Sequence, residues 1–544
     1  MTERQKYRKE STEGVAFDFL RCNRCGKCRE VCPITAAENL EWTSARGKIE
    51  IAEAFFRGEN LSEKSVRKIF DICLHCKRCE EACPSGARGD RVALEVLAEM
   101  GRRGVMPLFK KVALRLLDGL DDLAFRAMRM LGIRRKGTPH QGRGKSFIRF
   151  LYPLLGWPVQ RLLPLPARKP FIQSGHNLFL SSGMDPAFAG MDPLAAEKDF
   201  DAAAAKELKK RIATAREENQ SRGSRACFLV GDAVNQFFGE EAGDIVLVLN
   251  LLGVDVEIPA DQTCCSAPAL YAGDADRAAA GAEKLVNILS AYHFDWVVTS
   301  CASGGLMLKR EYPMLLGLEE DSYDGIIYDR ENEEFRRKPS GKNISEAADL
   351  YMKHISGRVR DINELVAEML GFRAGSPDYL SLFSGEAEET PEPEKNEDSD
   401  GRPSVVYHHP CHLVRGQKVS AQPEYILELL PGFRFKEMGD ADTCCGGGGL
   451  FSFTEPEISA RVGREKALAI AKASPDIVAT SCPLCRIQIS DMLQRDYGDG
   501  MPLSKDVMSR MQVLTPIQLL ARDLRRMMGD KDDHTGVKVG KTAF

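Results

Sequence analysis

Two cysteine runs near the N-terminus, Cys22-x2-Cys25-x2-Cys28-x3-Cys32-Pro33 and Cys73-x2-Cys76-x2-Cys79-x3-Cys83-Pro84, constrain this chain more than any other feature. Three thiolates at this spacing sit on one tight loop around a single iron-sulfur cube, and the fourth reaches across to a second cube. The runs must therefore fold against each other, with Cys22, Cys25, Cys28 and Cys83 around one [4Fe-4S] cluster and Cys73, Cys76, Cys79 and Cys32 around the other. Zinc also takes Cys-x2-Cys pairs, but as two separated pairs, with no third cysteine two residues on and no Cys-Pro beyond it.

The forty residues between the runs, 33–72, are rich in helix formers, with Ser62 as an expected N-cap. A compact hairpin module has no room for them, so residues 15–105 read as an all-α, two-cluster ferredoxin module. At 544 residues the chain needs several domains. Its formal charge of -4 gives no reason to expect a nucleic-acid partner. Residues 1–10 are polar, so no secretory leader is expected, and no apolar run approaches the roughly 18 residues of a spanning helix. Seventeen cysteines in such a chain point to the reducing cytoplasm and to metal-sulfur chemistry.

Between 102 and 169, sixteen Lys or Arg face three acids, with apolar residues at helical spacing from Ala113 to Leu131. Residues 106–170 read as a basic amphipathic helical arm, able to lie peripherally on the inner face of the cell membrane or to pack on protein. A linker, 171–223, carries a charged helical stretch. Beyond it Asp261-Gln-Thr-Cys264-Cys265 is echoed by Ala441-Asp-Thr-Cys444-Cys445, and Asp295-Trp-Val-Val-Thr-Ser-Cys301 by Asp476-Ile-Val-Ala-Thr-Ser-Cys482. The two halves, 224–320 and 404–525, are duplicates in which strand, helix and strand alternate, so each is expected to be a small α/β sheet with cysteine loops at strand ends. Between them, 321–403 reads as a polar insert followed by an acidic disordered linker, and 526–544 as a tail. The fold class is thus α/β with an N-terminal all-α ferredoxin.

The second half holds five cysteines: Cys411 after His409-Pro410, the pair Cys444-Cys445, and Cys482-Pro-Leu-Cys485. This pattern resembles the cysteine-rich CCG domain of heterodisulfide reductases, of the glycolate oxidase iron-sulfur subunit and of the anaerobic glycerol-3-phosphate dehydrogenase complex. The order of a helical ferredoxin and two CCG units is similar to the heterodisulfide reductase chain that joins both modules, and to those relatives. The resemblance implies a noncubane [4Fe-4S] cluster on Cys411, Cys444, Cys445, Cys482 and Cys485. Adjacent thiolates do not easily share one iron of a regular cube, which also favours an opened cluster. The first half departs from the pattern. It retains Cys264, Cys265 and Cys301, with Asp232 at the position of Cys411 and Gly304 at that of Cys485, a set suited to a further iron-sulfur cluster, to zinc, or to no metal. Cys227 fits the repeat less well than Asp232. Among the histidines His75, His408, His409 and His412, His412 is the strongest candidate beside a cluster, together with Arg415.

No strand followed by G-x-G-x-x-G occurs, so no dinucleotide or flavin site is signalled. Iron-sulfur centres pass single electrons, so a flavoprotein dehydrogenase or another redox subunit is the expected partner, with a membrane quinone-binding subunit or another acceptor beyond it. The alternative is catalytic, a disulfide reductase working at the Cys411 to Cys485 cluster. No residue is assigned a catalytic role from sequence.

Overall fold

The computed structural model describes residues 18–119, 171–172, 178–180, 200–318, 326–329, 334–337, 346–373 and 401–529. The acidic stretch 385–400, the tail beyond residue 529 and the arm beyond residue 119, with its arginines 126, 129, 134 and 135, lie outside them.

The N-terminal part is helical, as its composition indicates. Ser44 accepts the Gly47 N–H and starts helix Ala45–Phe56. Ser62 precedes helix Glu63–Asp71 but makes no side-chain cap bond. Pro33 opens helix Pro33–Glu38 straight after Cys32. Helix Gly89–Arg102 is buried on nearly every side, including Asp90, Arg91, Glu95 and Glu99. A helix buried all round lies inside a larger body. This one runs between the other N-terminal helices and the first half, and its charges are paired inside: Lys77 with Asp90 at 2.7 Å, Arg91 with Glu95 at 3.4 Å.

The described strands are β1 (Leu178–Leu180), β2 (Arg225–Phe228), β3 (Asp255–Ile258), β4 (Trp296–Thr299), β5 (Ile326–Asp329), β6 (Glu334–Arg337), β7 (Val359–Asp361), β8 (Ser404–His408), β9 (Arg434–Phe435), β10 (Ile477–Thr480) and β11 (Gln512–Leu514). The first sheet runs β1-β3-β2-β4-β7 and the second β9-β8-β10-β11. All neighbours are parallel except the β1–β3 edge. Without β1 the two orders are the same, so the duplication read from the cysteine spacing is a duplication of fold. Every residue of β8 is buried, as expected of a central parallel strand.

The halves share one core. Ala226, Phe228 and Val256 of the first sheet join Val405, Tyr407 and Ala479 of the second in a single apolar cluster. Helix Gly239–Leu251 packs on Pro516–Met527, and Ile362–Met369 on Ala421–Glu428. Each pair takes one element from each half, and the two pairs exchange under the repeat. This is the self-complementary contact of a two-fold dimer, built here within one chain.

Two segments differ from their sequence reading, and the start of the basic arm takes one of its two expected settings. The insert supplies β7, the last strand of the first sheet, so that half extends past residue 320. The insert also holds the antiparallel hairpin β5–β6, whose Phe335 meets Phe19 edge-on at 4.8 Å and whose Tyr328 and Phe335 carry the Arg57 guanidinium. Its polar, short-stranded sequence concealed it because its apolar partners lie about 300 residues away. The 171–223 stretch includes helix Ala202–Arg222, capped by Asp201, with Ala205, Leu208 and Ile212 in the shared core. The beginning of the basic arm, helix Leu108–Gly119, packs on protein: Leu114 is buried, and Lys110 binds Asp71 at 2.8 Å.

The N-terminal helices and the first half meet backbone to backbone. A Cβ at Gly101 would stand 2.0 Å from the Gly273 carbonyl oxygen, and one at Gly273, where φ is +85°, 2.4 Å from that of Leu97. Gly101→Ala is therefore expected to destabilise the protein by about 2 kcal/mol, read as a lower thermal midpoint. Gly239→Ala, whose nearest contact would be 3.7 Å, should leave the midpoint nearly unchanged. A second test concerns Asp523, buried and accepting the Gly432 N–H at 2.8 Å. Burial pushes its carboxyl up from 3.8 to about 7. Across that window the native state binds more protons than the unfolded chain, so stability falls as pH rises. Asp523→Asn should flatten this fall in thermal scans between pH 4 and 7.

Candidate metal centres

The two N-terminal cysteine loops follow the same backbone path. Arg24 and Gly26 take left-handed φ values of 62° and 86° in the first loop, and His75 and Lys77, at the same positions of the second, 49° and 60°. Holding the non-glycine residues Arg24, His75 and Lys77 there costs about 1–3 kcal/mol each. The conformation bends each loop around its thiols. The His75 N–H points to Cys73 Sγ at 3.5 Å and the Ala87 N–H to Cys83 Sγ at 3.2 Å. Cys22, Cys25, Cys28 and Cys83 line one concavity, with Cys79 at its wall. Cys32 lies with Cys73, Cys76 and Cys79. Cys25 is exposed, whereas Cys76 is buried.

In the second half every cysteine lies past the C-terminal end of a parallel strand: Cys411 after β8, Cys444 and Cys445 after β9, Cys482 and Cys485 after β10. Open α/β sheets place ligands at this edge. The five thiols form a chain of side-chain contacts, Cys411 to Cys444, Cys444 to Cys445, Cys445 to Cys485 and Cys485 to Cys482. Gly446, at φ 83°, turns its N–H to Cys444 Sγ at 3.4 Å, and a Cβ there would meet the Ser459 carbonyl oxygen at 2.6 Å. Lys466, buried and pushed down to about 8 by that burial, fixes the approach to the pair through the Asp440 and Ala441 carbonyls.

The chain of sulfurs does not stop within the half. Cys482 also touches Cys301. These two cysteines are equivalent in the repeat, and equivalent residues of a two-fold arrangement meet on its axis. Sequence reading treated the halves as separate sites and missed this contact, although the matched Thr-Ser-Cys endings were its signal. Cys264, Cys265 and Asp232 form a neighbouring group, in which Cys264 touches both Cys265 and Asp232. Tyr312 donates to the Cys265 carbonyl at 3.3 Å. A Cβ at Gly304, where the second half has Cys485, would meet nothing closer than 3.5 Å, so packing does not require glycine there. Cys227 lies on β2 in the aliphatic core.

Three parts of the chain converge between the cysteine sets. Cys32 and Cys411 pack against an apolar cluster that contains Leu74, Cys76, Cys444 and Phe451. His412 donates Nε2–H to the His75 carbonyl at 3.0 Å and accepts at Nδ1 from Ser303 at 2.9 Å. Tyr271 stacks between the two imidazoles, with centroids at 5.1 and 5.4 Å. Burial pushes both histidines down to about 4, so each is neutral at pH 7. Arg415, almost fully buried, holds Glu81 at 2.7 Å and also Asp442, tying the second N-terminal loop to the vicinal cysteines. Of the other histidines, His409 binds Glu424 at 2.9 Å, while His408 ends β8 beside Cys445 and Cys485.

This donor set fits iron-sulfur chemistry. Burial pushes the Cys76 and Cys79 thiols upward. Thiols gathered out of water resist ionising unless nearby hydrogen bonds or positive charge, such as that of a metal, compensate the burial. The backbone N–H groups aimed at sulfur are the donors such clusters use.

Residues 18–87 match the 4Fe-4S dicluster domain, and residues 227–309 and 405–490 each match the cysteine-rich domain. Among curated proteins the chain is 24% identical to the probable glycolate oxidase iron-sulfur subunit of Bacillus subtilis, over 89% of this chain and 91% of that one. It is 30% identical to one subunit of the fumarate reductase (CoM/CoB) of Methanothermobacter marburgensis, over 52% of this chain and 45% of that one. Lactate utilization protein A of Oceanobacillus iheyensis is 25% identical over 48% and 86%. The chain thus spans about half the length of the fumarate reductase polypeptide it matches.

Cys301→Ala is expected to change the anaerobic EPR line shape of the second-half centre, because Cys301 touches Cys482 across the halves; an unchanged spectrum contradicts that contact. Cys227→Ala should leave the iron content unaltered.

Proposed function

We propose that this chain, which matches a 4Fe-4S dicluster domain and two cysteine-rich domains, is the electron-transfer subunit of a multi-subunit oxidoreductase. Its partners are a flavoprotein dehydrogenase or similar redox subunit on one side and quinone or another acceptor on the other. Cys22, Cys25, Cys28 and Cys83 hold one [4Fe-4S] cluster, and Cys73, Cys76, Cys79 and Cys32 the second. Cys411, Cys444, Cys445, Cys482 and Cys485 hold a noncubane [4Fe-4S] cluster, and Asp232, Cys264 and Cys265 offer a further site beside Cys301. When bound, such clusters accept and release single electrons.

The observation that carries this reading is the arrangement of the three cysteine sets in a row. The first opens to the surface at Cys25, the second adjoins it at Cys79, and the third adjoins the second through Cys76, Cys411 and Cys444. The chain's own residues keep this line dry and fixed: Leu74, Phe451 and Ile458 exclude water between the second and third sets, and Arg415 and His412 lock the loops that carry them. No helix among the described residues is long and apolar enough to cross a membrane, so contact with a membrane acceptor falls to a partner or to the basic arm.

A second reading follows from the resemblance of the five-cysteine pattern to heterodisulfide reductases, in which the second-half centre itself reduces a disulfide. The cross-half meeting of Cys301 and Cys482 favours it, since it brings sulfur ligands of both halves to one place. Anaerobic purification should give about twelve irons per chain, and Cys482→Ala should lower this and remove one EPR signal. About eight irons, unchanged by Cys482→Ala, would contradict the third centre. Disulfide cleavage by the isolated chain with a chemical reductant would replace the first reading by the second.

A further inference from the structure

We propose that His408 is a hydrogen-bond partner of the second-half centre: its ring N–H donates to a sulfur of the cluster held by Cys445 and Cys485 and sets the reduction potential of that cluster. The inference rests on the ligand assignment above.

His408 is the last residue of β8, opposite Thr480 of β10, and is 0% exposed. One of its ring nitrogens and the sulfurs of Cys445 and Cys485 all lie within 4.8 Å of one another. Neither ring nitrogen has a hydrogen-bond partner among the described residues. The Ala441 carbonyl in its surroundings already takes the His409 N–H at 3.0 Å and the Lys466 ammonium at 3.1 Å. The residues on either side are served within the protein: Tyr407 donates to Ser481 at 2.8 Å, and His409 bonds Glu424 at 2.9 Å. The unmet imidazole is therefore specific to the one side chain that faces the thiols.

A neutral imidazole always presents one N–H. Burying that donor without an acceptor is unfavourable, and a buried polar group left unpaired in a native structure points to an ion or cofactor that pairs it. Sulfur is the acceptor on offer here. An N–H bond to cluster sulfur stabilises the reduced, more negative state and raises the potential. Direct ligation is less well supported, because a metal-bound histidine generally donates its other N–H to a carboxylate, carbonyl or water, and among the described residues the backbone acceptor beside His408, the Ala441 carbonyl, already takes two donors. Five cysteines already surround the site.

The test compares the anaerobically purified full chain as wild type, His408→Leu and His408→Gln. The expected result is full iron content in all three, a Cys482-dependent EPR signal whose midpoint moves to more negative potential in His408→Leu, and partial return in His408→Gln, whose amide restores an N–H. Pulsed EPR of the wild type should show a weak nitrogen coupling that His408→Leu abolishes. A strong coupling, typical of nitrogen bound to iron, would overturn the hydrogen bond in favour of ligation. An unchanged midpoint in His408→Leu, or loss of the signal in both variants, would overturn the proposal. A wild type with no Cys482-dependent signal would refute the ligand assignment itself, a result distinct from a signal indifferent to His408.

Discussion

A thiolate buried from water needs compensating positive charge, and the cysteine sets of this fold are arranged around that requirement. A thiolate in a low-dielectric interior is unfavourable by itself. Here Cys76, Cys444, Cys445, Cys482 and Cys485 are all buried, and the few cations near them, Lys77, Arg415 and Lys466, are engaged with carboxylates or carbonyls. Apolar side chains such as Leu74 and Phe451 pack against the buried sulfur loops, so that a bound metal would supply the charge they lack.

Duplication supplies the geometry. Parallel strands end in loops on one edge of a sheet, and two such sheets joined through a shared apolar core bring two sets of loops together. The meeting of Cys301 with Cys482 follows directly. The first half has the same fold with a smaller donor set: Asp232 and Gly304 stand where the second half has cysteine, and the space at Gly304 would accept a Cβ. The N-terminal helices close the assembly, with helix Gly89–Arg102 pressed against the first half at Gly101 and Gly273, and Arg415 and His412 reaching from the second half to the second cysteine loop.

Much of this is legible in the sequence where chemistry repeats. The two Cys-x2-Cys-x2-Cys-x3-Cys-Pro runs and the paired Cys-Cys loops specify local spacing, and the Thr-Ser-Cys endings mark strand ends in register. What escapes is whatever depends on partners distant in the chain. Phe335 and Tyr328 look like residues of a polar insert until Phe19 and Arg57 are beside them. The helix Ala202–Arg222 looks like a charged linker because only a narrow face, Ala205, Leu208, Ile212, Ala215 and Asn219, is buried. His408 has the same difficulty: three histidines crowd around Cys411, and only the placement of Cys445 and Cys485 singles out the one with no protein partner.

The central claim is that iron occupies three separate cysteine sets in one line, and anomalous X-ray scattering from anaerobically grown crystals tests it most directly. The account predicts iron-edge peaks within Cys22, Cys25, Cys28 and Cys83, within Cys73, Cys76, Cys79 and Cys32, and within Cys411, Cys444, Cys445, Cys482 and Cys485. Peaks at the zinc edge in their place, or no peak among the second-half cysteines, would contradict it.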